Sequence, residues 1–310
     1  MQLFCERFDS FMTHRNTLLN EVLQQVASRK GKMMRPMLTF LSARLFGPAN
    51  ERTLLSALTF EFFHTASLIH DDIVDESALR RGKPSVHQSF GNKVAVLVGD
   101  YILANALDAA SQTNDPKLVH TLSDTAKQLA DGELLQLQNI QNTALSEQVY
   151  YDIIDRKTAA LFAACAEAGA RSTSDDTAQV DLLRRVGQEI GICFQMRDDI
   201  FDYVAGEEIG KPVGNDMAEG KLTLPVIHAL NVTNNAEMLH LAQLVKQAEA
   251  SKDDIHTLVQ FTIEKGGIDY AEEQICQHTQ HAHALLAAFP DSDILQALHQ
   301  YIDYVGQRNY

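Results

Sequence analysis

The sequence predicts an all-α protein with one large helical domain over residues 1–310. Apolar residues recur at helical spacing along almost the whole chain, whereas convincing runs of alternating apolar and polar residues are absent. No proline lies between Pro116 and Pro212, and proline is the residue that breaks helix interiors. The same stretch is rich in Ala, Leu, Gln, Glu and Lys, which are good helix formers.

Periodicity and end signals locate the individual helices. Pro36 suits the first turn of a helix, where a missing N–H is harmless, and Gly47 with Pro48 ends the same helix. The longest predicted loops are 77–92 and 206–221, and no linker or break in composition divides the chain. The predicted helices span 14–29, 36–46, 51–76, 93–111, 117–141, 146–170, 178–205, 222–231, 236–249, 252–266, 268–288 and 292–306.

Composition and charge narrow the classes of function. The formal net charge of −15 makes binding to the phosphate backbone of nucleic acid unexpected. The 4 cysteines form no C-x-x-C pair, so we expect neither a zinc site nor a disulfide framework. The N-terminus lacks the pattern of a signal peptide, and no run reaches the ~18 apolar residues that a transmembrane helix needs. We therefore expect a cytoplasmic protein without a transmembrane segment.

Two clusters of aspartates stand at the ends of otherwise apolar helices. The first lies in "LIHDDIVDESALRRG" and the second in "MRDDIFDYVAG", and in each cluster two aspartates four positions apart share one helical face. This is the unfavourable end for negative charge, because the helix dipole is negative there. The aspartates are Asp71, Asp72 and Asp75 in the first cluster and Asp198, Asp199 and Asp202 in the second.

The apolar residues between these aspartates place the carboxylates near a core, where they need cations. Mg2+ is typically held by one or two carboxylates together with substrate phosphates. Basic residues that suit phosphate oxygens stand nearby, namely Lys32, Arg35, Arg80, Arg81, Lys211 and Lys221. If the two helix ends face each other, metals would bridge them to a polyphosphate. With few candidate nucleophiles, this set predicts metal-assisted departure of a diphosphate and not hydrolysis by a triad.

Plainer interpretations remain for single features. One D-D-x-x-D string also occurs on solvated helices, but two copies, each followed by a basic loop, make chance a poor explanation. His64 on an apolar helix would by default be a core histidine. Lys157 and Thr158 would by default begin a solvated helix, and Gln195 would fill a helix interface.

The sequence resembles the trans-isoprenyl diphosphate synthases, the head-to-tail polyprenyl synthetase family. Besides the two aspartate-rich motifs, the resemblance rests on "GKMMRP", "EFFHTASLIH", "VLVGDYILANAL", "DRKTAALF" and "GKPVGNDMAEGKLTLPVI". These segments follow the family order from Gly31 to about Ile227, roughly two-thirds of the chain. At Met33 the chain departs from the basic residue that many members have, which makes the isopentenyl site slightly less cationic.

The resemblance implies an isoprenoid-synthase fold with helices around a central cavity, usually a homodimer, with Mg2+ held by both motifs. Asp71, Asp75 and Asp198 would be the main metal ligands, completed directly or through water by Asp72, Asp199 and Asp202. The allylic diphosphate would be held by Arg80, Lys157, Thr158, Gln195, Lys211 and Lys221, and isopentenyl diphosphate by Lys32, Arg35, His64 and Arg81. Lys157 and Lys211 would also act in the catalytic step.

The resemblance also bears on product length. Side chains one and two turns before the first motif act as a floor in this family, and here Ala66 and Ser67 are small. Products longer than farnesyl are therefore expected. If Phe63 points into the tunnel, growth would halt at geranylgeranyl or one or two units later. If it points outward, elongation would reach the medium and long chains used for quinone tails. The amino-acid sequence around the motifs favours this outcome. Release of such a product would involve transient membrane contact.

Three rivals are less consistent with the sequence. A class I terpene cyclase usually carries an Asn/Ser/Glu-type second motif, and the isopentenyl set would be unexplained. A noncatalytic partner subunit of a heteromeric synthase tends to lose the aspartates, which are complete here. A purely structural helical protein leaves the placed acids and bases without a reason.

Overall fold

The computed structural model describes residues 1–29, 31–140, 142, 145–204 and 213–308. These residues form sixteen α-helices, one π-helical turn and one short antiparallel hairpin, so the predicted all-α class is confirmed. The helices are α1 (Gln2–Phe11), α2 (Thr17–Ala27), α3 (Met34–Arg44), α4 (Glu51–Val74), α5 (Val86–Phe90), α6 (Asn92–Gln112), α7 (Pro116–Ile140), α8 (Glu147–Ile154), α9 (Ala160–Arg171), α10 (Thr177–Phe201), α11 (Asn215–Ala218), α12 (Leu224–Thr233), α13 (Ala236–Lys246), α14 (Lys252–Glu264), α15 (Gly267–Leu286) and α16 (Asp293–Gln307).

Each of the twelve predicted helices has an observed counterpart, but five local features were missed. Helix α1 forms although no helix was predicted there. The loop predicted over 77–92 contains the hairpin of β1 (Leu79–Arg80) and β2 (Lys83–Pro84) and, after it, α5. The helix predicted over 146–170 is divided by a π-helical turn, Asp155–Ala159. The described part of the predicted loop 206–221 contains α11.

The missed helix α1 is explained by packing and not by propensity. Phe4 and Phe8 are buried and their rings stack with centroids 6.0 Å apart. Phe8 in turn stacks on Phe62 of α4, with ring centroids 5.1 Å apart. Because such tertiary contacts override weak local preference, a ten-residue segment becomes a stable helix.

Helix α4 carries the first aspartate cluster at its end and is held at both termini. A capping box begins it: the Asn50 side chain accepts from the Thr53 backbone N–H at 3.1 Å, and the Thr53 hydroxyl accepts from the Asn50 N–H at 3.2 Å. At the other end, the backbone N–H of Ser77 reaches the carbonyl of Asp72 at 2.9 Å. Most of α4 is buried, so its register is fixed by the core around it.

Contacts between Cα atoms divide the chain into two compact units. The first unit comprises Met1–Asp124 and Ala164–Arg184, and the second comprises Thr125–Ala163 and Arg185–Tyr310. Each has its own core. Phe60 and Ile102 are fully buried in the first unit, and Phe162 and Ile190 in the second. The single domain over residues 1–310 stays a prediction.

Among the described helices, α6 is the one that could cross a membrane by length and composition. The helices of soluble protein cores pass the same test, so this is weak evidence for a span. Helix α6 is a partly buried element of the first unit, with Ala95, Val98 and Ile102 in the core.

Candidate active site

The first aspartate cluster forms where α4 ends and the hairpin folds back on it. Asp72 is buried, and Arg80 in β1 donates from Nε to its Oδ1 at 2.8 Å. Arg81 and Gly82 both adopt positive φ, which makes the tight hairpin turn that returns the arginines toward α4. Asp71 and Asp75 are partly buried at the same helix end. The "RRG" that follows the aspartates is therefore a geometric part of the cluster.

A basic cavity of about 70 Å³ opens beside this cluster in the first unit. Its lining includes His64, Asp72, Arg80 and Arg81, together with the buried carboxyl of Glu61. Sequence reasoning missed Glu61, because one acid in an apolar helix carries no local signal. Burial raises the pKa of Glu61, and nearby Arg35 and Arg81 act in the opposite direction.

His64 is held neutral in this cavity. Its Nε2 lies 3.1 Å from Nη1 of Arg35. A guanidinium can only donate, so Nε2 accepts and the ring proton resides on Nδ1. Burial, followed by the charges of Arg35, Arg81 and Arg80, holds the pKa of His64 well below 6.5. His64 is thus a buried, hydrogen-bonded histidine in a cationic setting, and its role in substrate binding stays a prediction.

The guanidinium of Arg81 lies close to the backbone of the "GKMMRP" segment. A Cβ on Gly31 would lie 2.7 Å from Nη2 of Arg81, so a larger residue would displace the guanidinium. Arg81 also donates to the backbone carbonyl of Arg29. Lys32 is exposed in this turn, directly before α3. The structure thus brings Arg35, His64 and Arg81 together and places Lys32 in the same turn.

In the second cluster, at the end of α10, each aspartate has different partners. Asp199 is buried, and its two oxygens accept from Tyr150 Oη at 2.6 Å and from Gln195 Nε2 at 2.8 Å. The oxygens of Asp202 accept from the backbone N–H groups of Asn215 at 2.9 Å and Asp216 at 3.0 Å, which ties Asp202 to the start of α11.

The third aspartate of this cluster, Asp198, pairs with the end of the described chain. Arg308 Nη2 lies 2.5 Å from Asp198 Oδ1 and donates to the carbonyl of Phe194 at 2.9 Å. The guanidinium carbon lies 3.9 Å from the centre of the Phe194 ring. The Asp198 side chain remains 41% exposed, so it can bind a cation while Arg308 stays beside it.

Burial strongly affects the protonation of this second cluster. Burial first, and then the neighbouring Asp216, raise the pKa of Asp199 to about 8, although the hydrogen bonds from Tyr150 and Gln195 oppose this. Burial and Asp199 raise the pKa of Tyr150 well above 10, so the phenol keeps its proton and donates. A bound cation would favour the ionised form of Asp199.

A cavity of about 140 Å³ lies beside Asp199 within the second unit. Its lining includes Lys157, Thr158, Gln195 and Lys221, together with Asp216. The structure therefore brings together four of the side chains predicted for the allylic diphosphate. The fifth and sixth, Arg80 and Lys211, are placed differently: Arg80 belongs to the first unit, and Lys211 lies outside the described residues.

The π-helical turn explains how Lys157 and Thr158 enter this cavity. A Cβ on Gly132 of α7 would lie 2.9 Å from the backbone nitrogen of Lys157, and one on Gly191 of α10 would collide with Ala159. Two neighbouring helices therefore approach the turn through glycines. π-Helical turns inside helices are rare and frequently occur at functional sites. The default interpretation of a solvated helix start is wrong for this segment, since Thr158 is buried.

Three more polar side chains line this cavity, Gln136, Tyr150 and Lys246, and a fourth, Glu133, contacts its Lys157; all four were missed from sequence. Glu133 Oε2 lies 2.5 Å from Nζ of Lys157, and Gln136 lies one helical turn further along α7. Their spacing within "GELLQ" could have indicated a shared face. Tyr150 carried no signal of its own. Lys246 also lines the cavity and donates to the carbonyl of Asn139 at 3.2 Å.

The residues predicted to set product length all lie on α4. Phe63 and Ala66 are buried, and Ser67 is partly buried. The neighbouring ring of Phe62 packs against α1, 5.2 Å from the Phe11 ring centre. Phe63 and Ser67 share a helical face with Asp71, because they lie eight and four positions before it. Their effect on product length stays a prediction.

The aspartates fit the hard cation that the resemblance implies. Their ligand atoms are all carboxylate oxygens, the donors that Mg2+ prefers, and the cysteines and histidines do not join them. Within the described ranges, no three metal-ligating side chains are grouped closely enough to hold an ion by themselves.

Comparison with known proteins identifies the family. The family model described as "Polyprenyl synthetase" matches residues 16–262. An octaprenyl diphosphate synthase of Haemophilus influenzae is 36% identical over 281 residues, which cover 90% of this chain and 85% of that protein.

Solved structures extend the similarity to the fold. A geranylgeranyl pyrophosphate synthase from Bacteroides thetaiotaomicron is 47% identical, with a TM-score of 0.86, 98% coverage of this chain and 95% of that one. A polyprenyl synthase from Caulobacter crescentus, complexed with calcium and isoprenyl diphosphate, is 35% identical, with a TM-score of 0.91 and coverage of 98% and 94%. The predicted resemblance is confirmed, and the chain belongs to the polyprenyl synthetase family of prenyltransferases.

Proposed function

We propose that this protein condenses an allylic diphosphate, for example farnesyl diphosphate, with isopentenyl diphosphate in a Mg2+-dependent reaction. The observation that carries the proposal is the cavity of the second unit, where Lys157, Thr158, Gln195 and Lys221 surround the buried carboxyl of Asp199. Cationic and hydrogen-bonding groups beside a carboxylate cluster suit a metal-bound diphosphate. The calcium and isoprenyl diphosphate of the Caulobacter relative support the same chemistry.

The first chemical step is departure of diphosphate from the allylic carbon. We assign Mg2+ binding to Asp71 and Asp75 in the first unit and to Asp198 in the second, assisted by Asp72, Asp199 and Asp202. Bound Mg2+ would neutralise charge that develops on the diphosphate oxygens. Lys157 and Lys221 supply further positive charge in the second unit, and Arg80 does so in the first. We retain Lys211 in this group as a sequence-based proposal.

Isopentenyl diphosphate is assigned to the basic cavity of the first unit. Arg35 and Arg81 offer guanidinium forks for phosphate oxygens, and Lys32 offers a point charge. Neutral His64 can donate from Nδ1 while Nε2 accepts from Arg35. The double bond of isopentenyl diphosphate attacks the allylic cation, and a proton then passes to the departed diphosphate. The cationic intermediate requires a dry, apolar surrounding, because water would capture it.

The finer proposal concerns product length. Relatives include synthases of geranylgeranyl, octaprenyl and decaprenyl diphosphate. Small side chains at Ala66 and Ser67 support products longer than C15, used for quinone side chains. A C20 to C25 product is the alternative, favoured by the 47% identity to the Bacteroides geranylgeranyl synthase.

Two substitutions separate these lengths. Ala66→Phe should shorten the product, and an unchanged product would contradict the role of this position as a floor. Phe63→Ala should lengthen the product only where Phe63 is the operative floor. Phe62→Leu is the matched control, because Phe62 packs against α1.

We further propose a cytoplasmic homodimer. Helix α6 of the first unit exposes Val96, Leu97 and Leu107, an apolar face that a second copy would cover. Light scattering of the purified protein tests this: a mass near twice 34.5 kDa is expected, and a monomer would contradict it.

Incorporation of labelled isopentenyl diphosphate tests the catalytic proposal. With farnesyl diphosphate and Mg2+, the protein should form a ladder of longer prenyl diphosphates, and chelation of Mg2+ should stop it. Cyclic hydrocarbon products would instead favour a terpene cyclase. No incorporation with any allylic primer would favour a noncatalytic partner subunit.

A further inference from the structure

A chain of four hydrogen-bonded side chains forms one wall of the cavity in the second unit. The Thr158 hydroxyl donates to Gln195 Oε1 at 2.7 Å, Gln195 Nε2 donates to Asp199 Oδ1 at 2.8 Å, and Tyr150 donates to Asp199 Oδ2 at 2.6 Å. The family resemblance accounts for Thr158, Gln195 and Asp199. It assigns nothing to Tyr150, which closes the chain at its buried end.

The direction of each hydrogen bond follows from the carboxylate. With a cation bound, Asp199 is ionised and accepts through both oxygens, so Gln195 must present its NH2 group to it, and this leaves Oε1 for Thr158. Turning the amide over would set its oxygen against a carboxylate oxygen and its NH2 against the Thr158 hydroxyl. One N–H of Gln195 then remains, and no described residue accepts it. Because Gln195 lines the cavity, that N–H is available to an anion there.

Tyr150 fixes the buried end of this chain. It is 5% exposed and therefore has little contact with solvent. Without its hydroxyl, Asp199 Oδ2 would lose its one described partner and the carboxyl could rotate about its side-chain bond. Rotation would release Gln195 and, through it, Thr158. A buried polar network keeps a single arrangement only while every hydrogen-bonding group in it has a partner.

We infer that Tyr150 is a positioning residue for the diphosphate site: through Asp199 it holds Gln195 and Thr158 in the one arrangement that turns an amide N–H toward the cavity. This inference rests on the proposed function, since the ligand in the cavity is taken to be the allylic diphosphate. The Tyr150 hydroxyl donates to Asp199, so Tyr150 acts through that carboxylate.

The neighbouring Tyr151 offers a matched control. Both tyrosines lie on α8, and both hydroxyls donate to a side chain, but Tyr151 donates to Gln274 at 3.2 Å and does not line the cavity. Tyr150→Phe and Tyr151→Phe therefore remove the same atom from adjacent positions. Only the first change touches the Asp199 network.

The first experiment compares the kinetics of these variants with farnesyl diphosphate as primer. Tyr150→Phe should raise KM for farnesyl diphosphate about tenfold, the effect of one ordinary hydrogen bond, and change kcat and KM for isopentenyl diphosphate less. Tyr151→Phe should leave all three near wild type. Equal behaviour of the two variants, or failure of Tyr150→Phe to fold, would make Tyr150 merely structural and overturn the inference.

The second experiment is a double-mutant cycle with Thr158→Val. If Tyr150 acts through the network, Tyr150→Phe should have a much smaller effect on KM once Thr158 has lost its hydroxyl. Additive effects would overturn the inference. Calorimetric binding of inorganic diphosphate with Mg2+ gives a readout without turnover: Tyr150→Phe should weaken it and Tyr151→Phe should not. If the wild-type protein neither binds diphosphate nor transfers prenyl groups, the proposed function fails. If the wild-type protein does both but Tyr150→Phe and Tyr151→Phe behave alike, only the inference about Tyr150 fails.

Discussion

The two aspartate clusters look alike in sequence but are built differently. In the first cluster the buried Asp72 pairs with Arg80, which follows it by eight residues. In the second cluster the partners come from distant segments, since Asp199 accepts from Tyr150, Asp202 from the backbone at α11, and Asp198 from Arg308. The first cluster is thus organised by a local hairpin, and the second by tertiary structure.

This difference separates two ways of keeping carboxylates together at a helix end. A local arginine lowers repulsion in the first cluster and also brings Arg81 to the neighbouring basic cavity. In the second cluster each of the three aspartates has its own set of partners. Asp198 stays partly exposed, whereas Asp199 and Asp202 have both oxygens engaged. We therefore expect Asp198 to bind metal most directly in its cluster.

The largest effect is expected from Asp71→Ala. Loss of a main metal ligand should lower kcat at least about 10²-fold, the scale observed when one electrostatic group is removed from an active site. The far-ultraviolet circular dichroism should not change, because Asp71 is only partly buried. Asp181→Ala is the control: it removes an exposed aspartate of α10 that pairs with Arg184. Retained turnover in Asp71→Ala would remove the ligand assignment.

Arg80→Gln should come next, because it leaves the buried Asp72 without its ionic partner. We expect a loss of about 1–3 kcal/mol in the free energy of unfolding, since a buried charged acceptor loses its donor, together with a higher KM for the allylic diphosphate. Denaturant titration and steady-state kinetics measure both. Arg80→Lys should restore stability in part, because charge returns without the fork. Unchanged stability in Arg80→Gln would show that the hairpin does not organise the first cluster.

A smaller effect of the opposite sign is expected at Arg308. Arg308→Gln removes the guanidinium from Asp198, so the negative charge of the second cluster is less compensated. The Mg2+ concentration that gives half-maximal activity should fall severalfold, while Tm without metal should decrease. A higher requirement for Mg2+ would contradict this, and would mean that Arg308 orients Asp198 for the metal and does not compete with it.

A further prediction is a pH dependence of stability without metal. The pKa of Asp199 is raised to about 8 in the folded protein, so the folded state binds this proton more tightly than the unfolded state. Its contribution to stability is present below the unfolded pKa of about 4 and is lost as pH rises toward 8. Asp199→Asn should flatten this fall, as measured by denaturant titration from pH 5 to 8. An identical slope in both proteins would contradict the buried protonated carboxyl.

The contrast between the clusters also explains what the sequence could predict. Asp72 and Arg80 lie in one short segment, so both could be predicted as site residues from their spacing and chemistry. Helix positions were also readable, because periodicity and capping act over a few residues. The aspartates of the second cluster were found from their spacing, but their partners were not.

Those partners could not be predicted, because residues far apart in sequence give no local sign that they are in contact. Arg308 stands 110 residues after Asp198, and Tyr150 stands 49 residues before Asp199. No periodicity or spacing rule links such positions. The π-helical turn was equally hidden, because it depends on the approach of Gly132 and Gly191 from other helices. His64, Lys157 and Gln195 were identified through the family resemblance and not through their own spacing.

The most direct test of prenyl transfer is the stoichiometry of diphosphate release. Purified protein is incubated with Mg2+, farnesyl diphosphate and labelled isopentenyl diphosphate, and both free diphosphate and incorporated label are counted. Condensation requires one diphosphate released for each isopentenyl unit incorporated, with no release when isopentenyl diphosphate is omitted. Diphosphate released without incorporation would mean hydrolysis or cyclisation, and would contradict the account.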